Sequence, residues 1–181
     1  MAERRNYVGC AYSLTVVAPI VAGREQEARN AIEALPAGAD SPLARLDGLH
    51  FSRVHVVSQL VFQGSAQRFR DRLRSSQLVF TSTVDGELDP YLDALCKRTQ
   101  PDAWWRYCSG YPGSADRAAF GRFMREHQID SSLFASAHPD ASVARIHESL
   151  ALREQIVAFA AGAQGLDAAR LQQRFRETFA A

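Results

Sequence analysis

The feature that most constrains the fold is a set of three segments rich in β-branched and aromatic residues, each bounded by turn-forming residues. They are residues 13–21, 49–57 and 78–86, and each predicts a strand. Between the first two, residues 24–35 are rich in alanine, glutamate and arginine and stop at Pro36, which predicts a helix. A second helix is expected to begin at Asp89 and Pro90, because a capping residue before proline is a common helix start. The order at the start of the chain is therefore β-α-β-β-α.

One more strand would complete the split βαβ pattern of ferredoxin-like domains. Residues 104–108 are the first candidate for this closing strand, and residues 133–137 form a second short strand candidate. If residues 104–108 are helical, the core is either completed by residues 133–137 or is not ferredoxin-like. We predict an α+β fold with a ferredoxin-like split βαβ core.

The C-terminal third is predicted to be mainly helical. Asp140 and Ser142 are suited to cap a long helix with inward-facing apolar residues, and a last helix follows it. The sequence has no repeat period and no low-complexity linker. We therefore predict a single domain over residues 1–181, with the ferredoxin-like core at about 10–112 and a helical extension at about 113–181.

Charge and cysteine content restrict the partners and the compartment. With 21 Lys and Arg against 20 Asp and Glu, the net charge is +1, so no overall field attracts nucleic acid or an anionic membrane. We predict neither as a partner, since the apolar run near the N-terminus also meets Pro19 before it reaches membrane-spanning length. Cys10, Cys96 and Cys108 have no C-x-x-C spacing, so we expect reduced thiols and a cytoplasmic protein.

The histidines are candidates for proton transfer near neutral pH and for metal binding. His50 and His55 are five residues apart on one predicted strand, so a regular strand points them to opposite faces and only one faces a pocket. His138 lies where a strand is expected to end and a capped helix to begin, a common setting for functional side chains. For each of them, a hydrogen-bonded structural role is the alternative.

Further candidate groups lie near two predicted turns. Asp85 ends the third strand, where a carboxylate orients a donor, binds a polar substrate group or caps the next helix. Arg106 is a candidate clamp for a carboxylate or phosphate, although a structural ion pair fits equally well. Tyr111 is a candidate proton donor beside Cys108, for which an inert buried thiol is the alternative.

Several common site motifs are missing. The sequence has no G-x-G-x-x-G, no G-x-x-x-x-G-K-[ST] and no G-x-S-x-G, so dinucleotide, nucleoside triphosphate and α/β-hydrolase functions lack their markers. The predicted strands also lack the aromatic platform of an RNA-recognition domain.

Four segments together resemble a ferredoxin-like, dimeric α/β-barrel family that is similar to dye-decolourising peroxidases and chlorite dismutases. They are LHFSRVHVV, LVFTSTVDGELDPYLDAL, RYCSGYPG and FASAHPDASVARIHESLALR, and they span about residues 49–153. The resemblance implies a pocket between sheet and helices, haem as a cofactor, oxidative chemistry and a homodimer. Asp85 and Gly86 match the Asp-Gly turn of the peroxidases, but no histidine matches their axial ligand by a shared motif.

Two classes of function follow. The first is a small-molecule enzyme, with a haem-dependent oxidoreductase as the specific form that the resemblance implies. In it, His50 or His138 is a ligand or acid/base, Arg53 or Arg106 binds an anionic substrate group, and Asp85 orients them. The alternative is a cofactor-free cyclase, isomerase or non-catalytic small-molecule-binding module of the same fold.

Overall fold

The computed structural model describes residues 5–62, 64, 68–69 and 71–179. They form an α+β structure, so the α+β part of the predicted fold class is confirmed, and the ferredoxin-like core stays a prediction. The chain divides into two compact units, one up to Asp140 and one from Ala141 onwards. The single domain expected from the sequence stays a prediction.

The first unit contains a four-stranded antiparallel sheet. Its strands are β1 (Tyr7–Val8), β2 (Ala11–Pro19), β3 (Leu49–Val57) and β4 (Gln77–Asp85), in the order β1-β2-β4-β3. Because β4 pairs antiparallel with both β2 and β3, these two strands are parallel to each other with β4 between them. A helix, α1 (Glu25–Glu33), connects them, so the predicted β-α-β-β order is confirmed.

The remaining helices follow the sheet in sequence. They are α2 (Leu88–Arg98), α3 (Asp102–Trp105) and α4 (Arg117–Glu126) in the first unit, and α5 (Val143–Gly162) and α6 (Ala168–Phe179) in the second. Ser142 caps α5 as predicted, because its hydroxyl accepts a hydrogen bond from the Arg145 backbone N–H at 3.1 Å. No helix in the described part of the chain is long and apolar enough to span a membrane.

The core of the first unit lies on one face of the sheet. Alternation along β2 buries Leu14, Val16 and Ala18 on that face and leaves the residues between them partly exposed. Trp105 from α3 packs there, with its ring edge-on to Phe80 of β4 at a centroid distance of 6.0 Å. The sheet is thus covered by helices on the face that these strand residues share.

Neither candidate for the closing strand forms one. Within residues 104–108, Trp104 and Trp105 end α3 and are both fully buried, and only Cys108 forms an isolated bridge, with Ile20. A strand would point adjacent side chains to opposite faces, whereas a helical turn lets both indoles reach the core. Residues 133–137 have no strand structure, and Leu133 is 87% exposed. The outer edge of β2 is instead met by β1 and by a bridge from Gln128 to Val16.

Candidate functional site

The candidate site centres on His50, which lies in a β-bulge. Leu49 pairs with Val84 and Phe51 pairs with Thr83, so His50 is an extra residue without an opposite partner. Its Nε2 is 2.8 Å from Oδ1 of Asp85, and each of these two side chains is 19% exposed. The pair is therefore shielded from bulk water and still reachable.

The bulge changes the face that the sequence assigned to His50. In a regular strand His50 would share the face of Val54 and Val56, which pack against the core. Asp85 follows Val84, a buried core residue, and therefore points away from that face. The hydrogen bond to Asp85 places His50 on the Asp85 side, so the expectation that His50 and His55 lie on opposite faces is wrong, because the strand is not regular.

Asp85 is held by the backbone on both sides. Its N–H donates to the Gly48 carbonyl at 2.9 Å, and the N–H of Gly86 donates to the Cys10 carbonyl at 2.9 Å. Gly48 has φ +77°, and a Cβ added there would lie 3.2 Å from the Cβ of Asp85. Glycine at this position therefore allows the close approach that fixes the Asp85 carboxylate.

Cys10 is a third member of the cluster, and the sequence did not indicate it. Its Sγ donates to the same Oδ1 of Asp85 at 3.5 Å. Desolvation raises the pKa of the Cys10 thiol, and the hydrogen bond and negative charge of Asp85 raise it further. Cys10 is consequently a neutral thiol donor here rather than an activated nucleophile.

His138 lies at the same end of the sheet. The carbonyl of Pro139, the next residue, accepts a hydrogen bond from the Cys10 N–H at 3.0 Å and so fixes this loop against the turn that precedes β2. The His138 side chain is exposed, and its backbone N–H donates to Ser136 Oγ at 3.2 Å. Among the described contacts, none joins the His138 ring to His50 or Asp85.

Arg106 and Tyr111 lie at the opposite end of the sheet. Their segment meets β2 through the bridge between Cys108 and Ile20, whereas Asp85 pairs with Ala11 at the start of β2. Nine strand residues at about 3.3 Å each separate the two ends by roughly 30 Å. The predicted site residues therefore do not form one constellation.

Contacts at that far end give Tyr111 a structural role. Its hydroxyl donates to Oδ1 of Asp102 at 2.7 Å. Burial, followed by the interaction with the Asp102 carboxylate, raises the pKa of Tyr111 well above its ordinary value. Arg106 is exposed, with its guanidinium 5.8 Å from the Tyr107 ring centroid.

Arg53 is exposed on β3. It pairs with Thr81 in the ladder, and its guanidinium lies 5.8 Å from the centroid of the Phe51 ring. It therefore lies on the open face of the sheet, three residues beyond His50.

A polar cleft of about 670 Å³ lies near the Asp85 end of β4. Its lining residues carry mainly carboxylate, hydroxyl, amide and guanidinium groups: Arg5, Asn6, Tyr7, Tyr12, Glu87, Leu88, Asp89, Gln128 and Asp130. Tyr7 donates a hydrogen bond to Glu87, and the Tyr12 hydroxyl accepts one from Gln128 at 2.6 Å. Burial raises the pKa of Tyr12, so its hydroxyl stays protonated at neutral pH.

The polar cleft does not fit haem. Haem needs apolar walls and an axial His, Cys, Met or Tyr ligand. The polar cleft has three carboxylates in its lining, and its two tyrosine hydroxyls are already hydrogen bonded. A second cavity, of about 550 Å³ between α5 and α6, has apolar walls but no such ligand in its lining. Among the described residues, no group of three or more His, Cys, Asp or Glu is arranged to hold a metal ion.

Comparison with protein-family models, with curated proteins and with solved structures finds no match to this chain. The arrangement of side chains is therefore what a functional assignment has to rest on.

Proposed function

We propose that the chain is a cofactor-independent enzyme that moves protons on a small polar molecule, with His50 as the acid/base. The observation that carries this proposal is the 2.8 Å hydrogen bond between His50 Nε2 and Asp85 Oδ1 in a partly buried setting. It belongs to the cyclase and isomerase class that the sequence left as the alternative to an oxidoreductase.

The chemistry follows from the direction of that hydrogen bond. A carboxylate only accepts, so Nε2 carries the proton of neutral His50 and Nδ1 is the ring atom that accepts a proton from a substrate. Asp85 then stabilises the imidazolium that forms and keeps the ring in one orientation. The backbone bonds around Gly48 and Gly86 fix the carboxylate, so the pair is arranged before a substrate arrives.

The polar cleft is the candidate position for the rest of a small polar substrate, and His50 and Asp85 lie outside its lining. Glu87, one of its lining residues, is only two residues beyond Asp85, and Arg5 offers a cation for an anionic substrate group. A carbonyl compound with an acidic C–H bond is the simplest substrate class on which one histidine acts first as base and then as acid.

The test uses hydrogen–deuterium exchange at carbon. The full chain is incubated in D₂O with a panel of small keto acids and hydroxy ketones, and loss of the α-proton signal is followed by NMR. We expect exchange on at least one compound, and a loss of about 100-fold or more in His50→Gln, since general acid–base groups contribute roughly 10²–10⁴-fold. Asp85→Asn should reduce the rate as well, because it no longer stabilises the imidazolium.

His55→Gln is the matched control, because His55 is an exposed histidine on the same strand. It should retain the wild-type rate. Exchange no faster than in buffer with every compound, or equal rates in the His50 and His55 variants, would refute the proposed function.

A haem-dependent oxidoreductase rests on the family resemblance alone, and neither the polar cleft nor the cavity between α5 and α6 has a lining that favours haem. The proposal also includes a ferredoxin-like core, which the β2-α1-β3 crossover with β4 between the parallel strands supports. A homodimer and a cytoplasmic location remain part of the proposal, and the free state of Cys10, Cys96 and Cys108 agrees with a reducing compartment.

A further inference from the structure

The second unit has more apolar surface than its own fold covers. No residue of α5 or α6 is buried. The two helices contact each other through three phenylalanines, with the ring centroid of Phe159 at 5.8 Å from Phe175 and 5.3 Å from Phe179. A unit this small rarely buries enough apolar area to be stable without an additional partner.

A second apolar row runs along α5 on the other side of that helix. It consists of Val143, Ile146, Leu150 and Val157, and we call it the heptad stripe. Ile146, Leu150 and Val157 are 40%, 47% and 60% exposed. Phe159 follows Val157 by two residues, which is about 200° around a helix, so the contacts with α6 use a different face.

The spacing of the stripe is that of a helix that pairs with another helix. Val143, Leu150 and Val157 are seven residues apart, and Ile146 follows Val143 by three, as the a and d positions of a coiled coil do. We propose that the heptad stripe is the contact surface for a second copy of this chain, with α5 packed against α5 in antiparallel orientation.

Charge on α5 favours a second copy over a strongly charged partner. The helix has two arginines and two glutamates. Arg153 and Glu154 interrupt or flank the stripe, whereas Arg145 and Glu148 are at outer positions of the heptad. Their charges sum to zero, so two copies of α5 approach without net repulsion. A two-fold axis then lets the same patch serve both copies.

Arg153 decides the orientation. It occupies the d position between Leu150 and Val157. In a parallel pair the two Arg153 side chains would face each other at the contact, and like charges in that position are destabilising. In an antiparallel pair, Arg153 lies beside Leu150 of the second copy, and Val157 lies opposite Ile146 of the second copy.

Sedimentation equilibrium of the full chain tests the proposal. One helix pair buries less than a standard interface of about 800 Å² per partner, so we expect a dissociation constant in the micromolar range. The concentration series should therefore cover roughly 1–200 µM. The wild type should shift from the chain mass of 20.0 kDa towards twice that value. Leu150→Glu should stay monomeric over the whole series.

Gln155→Glu is the matched control, since it adds the same charge to α5 at an outer position of the heptad. It should dimerise like the wild type, and circular dichroism should show the same helix content in both variants. A wild type that is monomeric at the highest concentration would overturn the proposal. Dimerisation of Leu150→Glu would overturn it too, because the contact would then lie on another surface, such as the open face of the sheet.

Cross-linking tests the orientation. The two variants Ile146→Cys and Val157→Cys are mixed and oxidised. A disulfide should form between Cys at position 146 of one chain and Cys at position 157 of the other. Cross-linking of each variant only to itself at those positions would show a parallel pair and refute the antiparallel assignment. These measurements test the homodimer that the proposed function includes. None of them depends on proton-transfer activity, so their failure would leave the proposed acid/base role of His50 unaffected.

Discussion

Replacement of Gly9 by alanine should loosen the loop at Pro139, which is fixed against the turn before β2. Gly9 lies in the turn between β1 and β2 at φ +59°, and an added Cβ would lie 1.9 Å from the carbonyl oxygen of Pro139. That oxygen accepts the hydrogen bond from the Cys10 N–H at 3.0 Å, so the loop cannot keep this contact in the variant.

The free-energy cost has two parts. The left-handed backbone costs a residue with a Cβ about 1–2 kcal/mol. Loss of the Cys10–Pro139 hydrogen bond adds about 1–3 kcal/mol, because a polar group is left without its partner. For a chain of this length 1 kcal/mol corresponds to about 2–4 °C in Tm, so the two parts together lower Tm by roughly 4–20 °C.

The difference between Gly9→Ala and Gly38→Ala isolates the second part, the loss of the Cys10–Pro139 hydrogen bond. Gly38 has φ +66°, close to that of Gly9, and an added Cβ there has nothing within 4 Å. The control should therefore lose only the backbone part, about 2–8 °C in Tm. Differential scanning calorimetry of both variants measures the difference. If Gly9→Ala is no less stable than Gly38→Ala, the contact between the Gly9 turn and Pro139 does not hold the loop.

Two further predictions concern Tyr111 and the cysteines. Burial alone would raise the pKa of Asp102, but hydrogen bonds from Ser114 and Tyr111 hold it below its ordinary value. The stabilisation from these hydrogen bonds is therefore present above the pKa of Asp102 in the unfolded chain, and it is lost as pH falls through the pKa in the folded chain. Tyr111→Phe should therefore lower the free energy of unfolding by about 1 kcal/mol at pH 7 and by less near pH 2.5 in urea titrations, and an equal loss at both pH values would contradict this role. Burial raises the pKa of Cys108 to about 12, so Ellman's reagent at pH 8 should label the half-exposed Cys10 first and Cys108 only on unfolding, which peptide mapping would show. Early labelling of Cys108 would show that its surroundings open in the native state.

Local patterns were sufficient to predict most elements of the sheet unit. The predicted strand at residues 49–57 has the bounds of β3, because its β-branched residues and its flanking glycine are signals within the segment itself. The segment at 104–108 was misassigned, since aromatic residues fit strands and buried helical turns equally well. Only the fully buried state of both Trp104 and Trp105, a property of the tertiary packing, distinguishes the two.

The candidate site was predictable only in part. His50 and Asp85 were each singled out, but their hydrogen bond depends on the pairing of β3 with β4 across 35 residues of sequence. Cys10 has no motif around it, and it reaches Asp85 only because the turn after β1 brings it to the end of β4. Arg106 and Tyr111 were grouped with the site residues, because sequence patterns do not show that the length of β2 separates these two residues from Asp85.

The bulge at His50 links the fold to the proposed chemistry. Without the extra residue, the side chains of β3 that precede position 50, or those that follow it, would change to the opposite face of the sheet. In the first case Leu49 would leave the core, and in the second case Val54 and Val56 would leave it. With it, Leu49 and Val54 both pack towards the core while His50 bonds to Asp85 on the other side of the strand. One inserted residue thus satisfies apolar burial and the histidine–carboxylate pair together, at the strand end where Asp85 is already fixed by backbone hydrogen bonds.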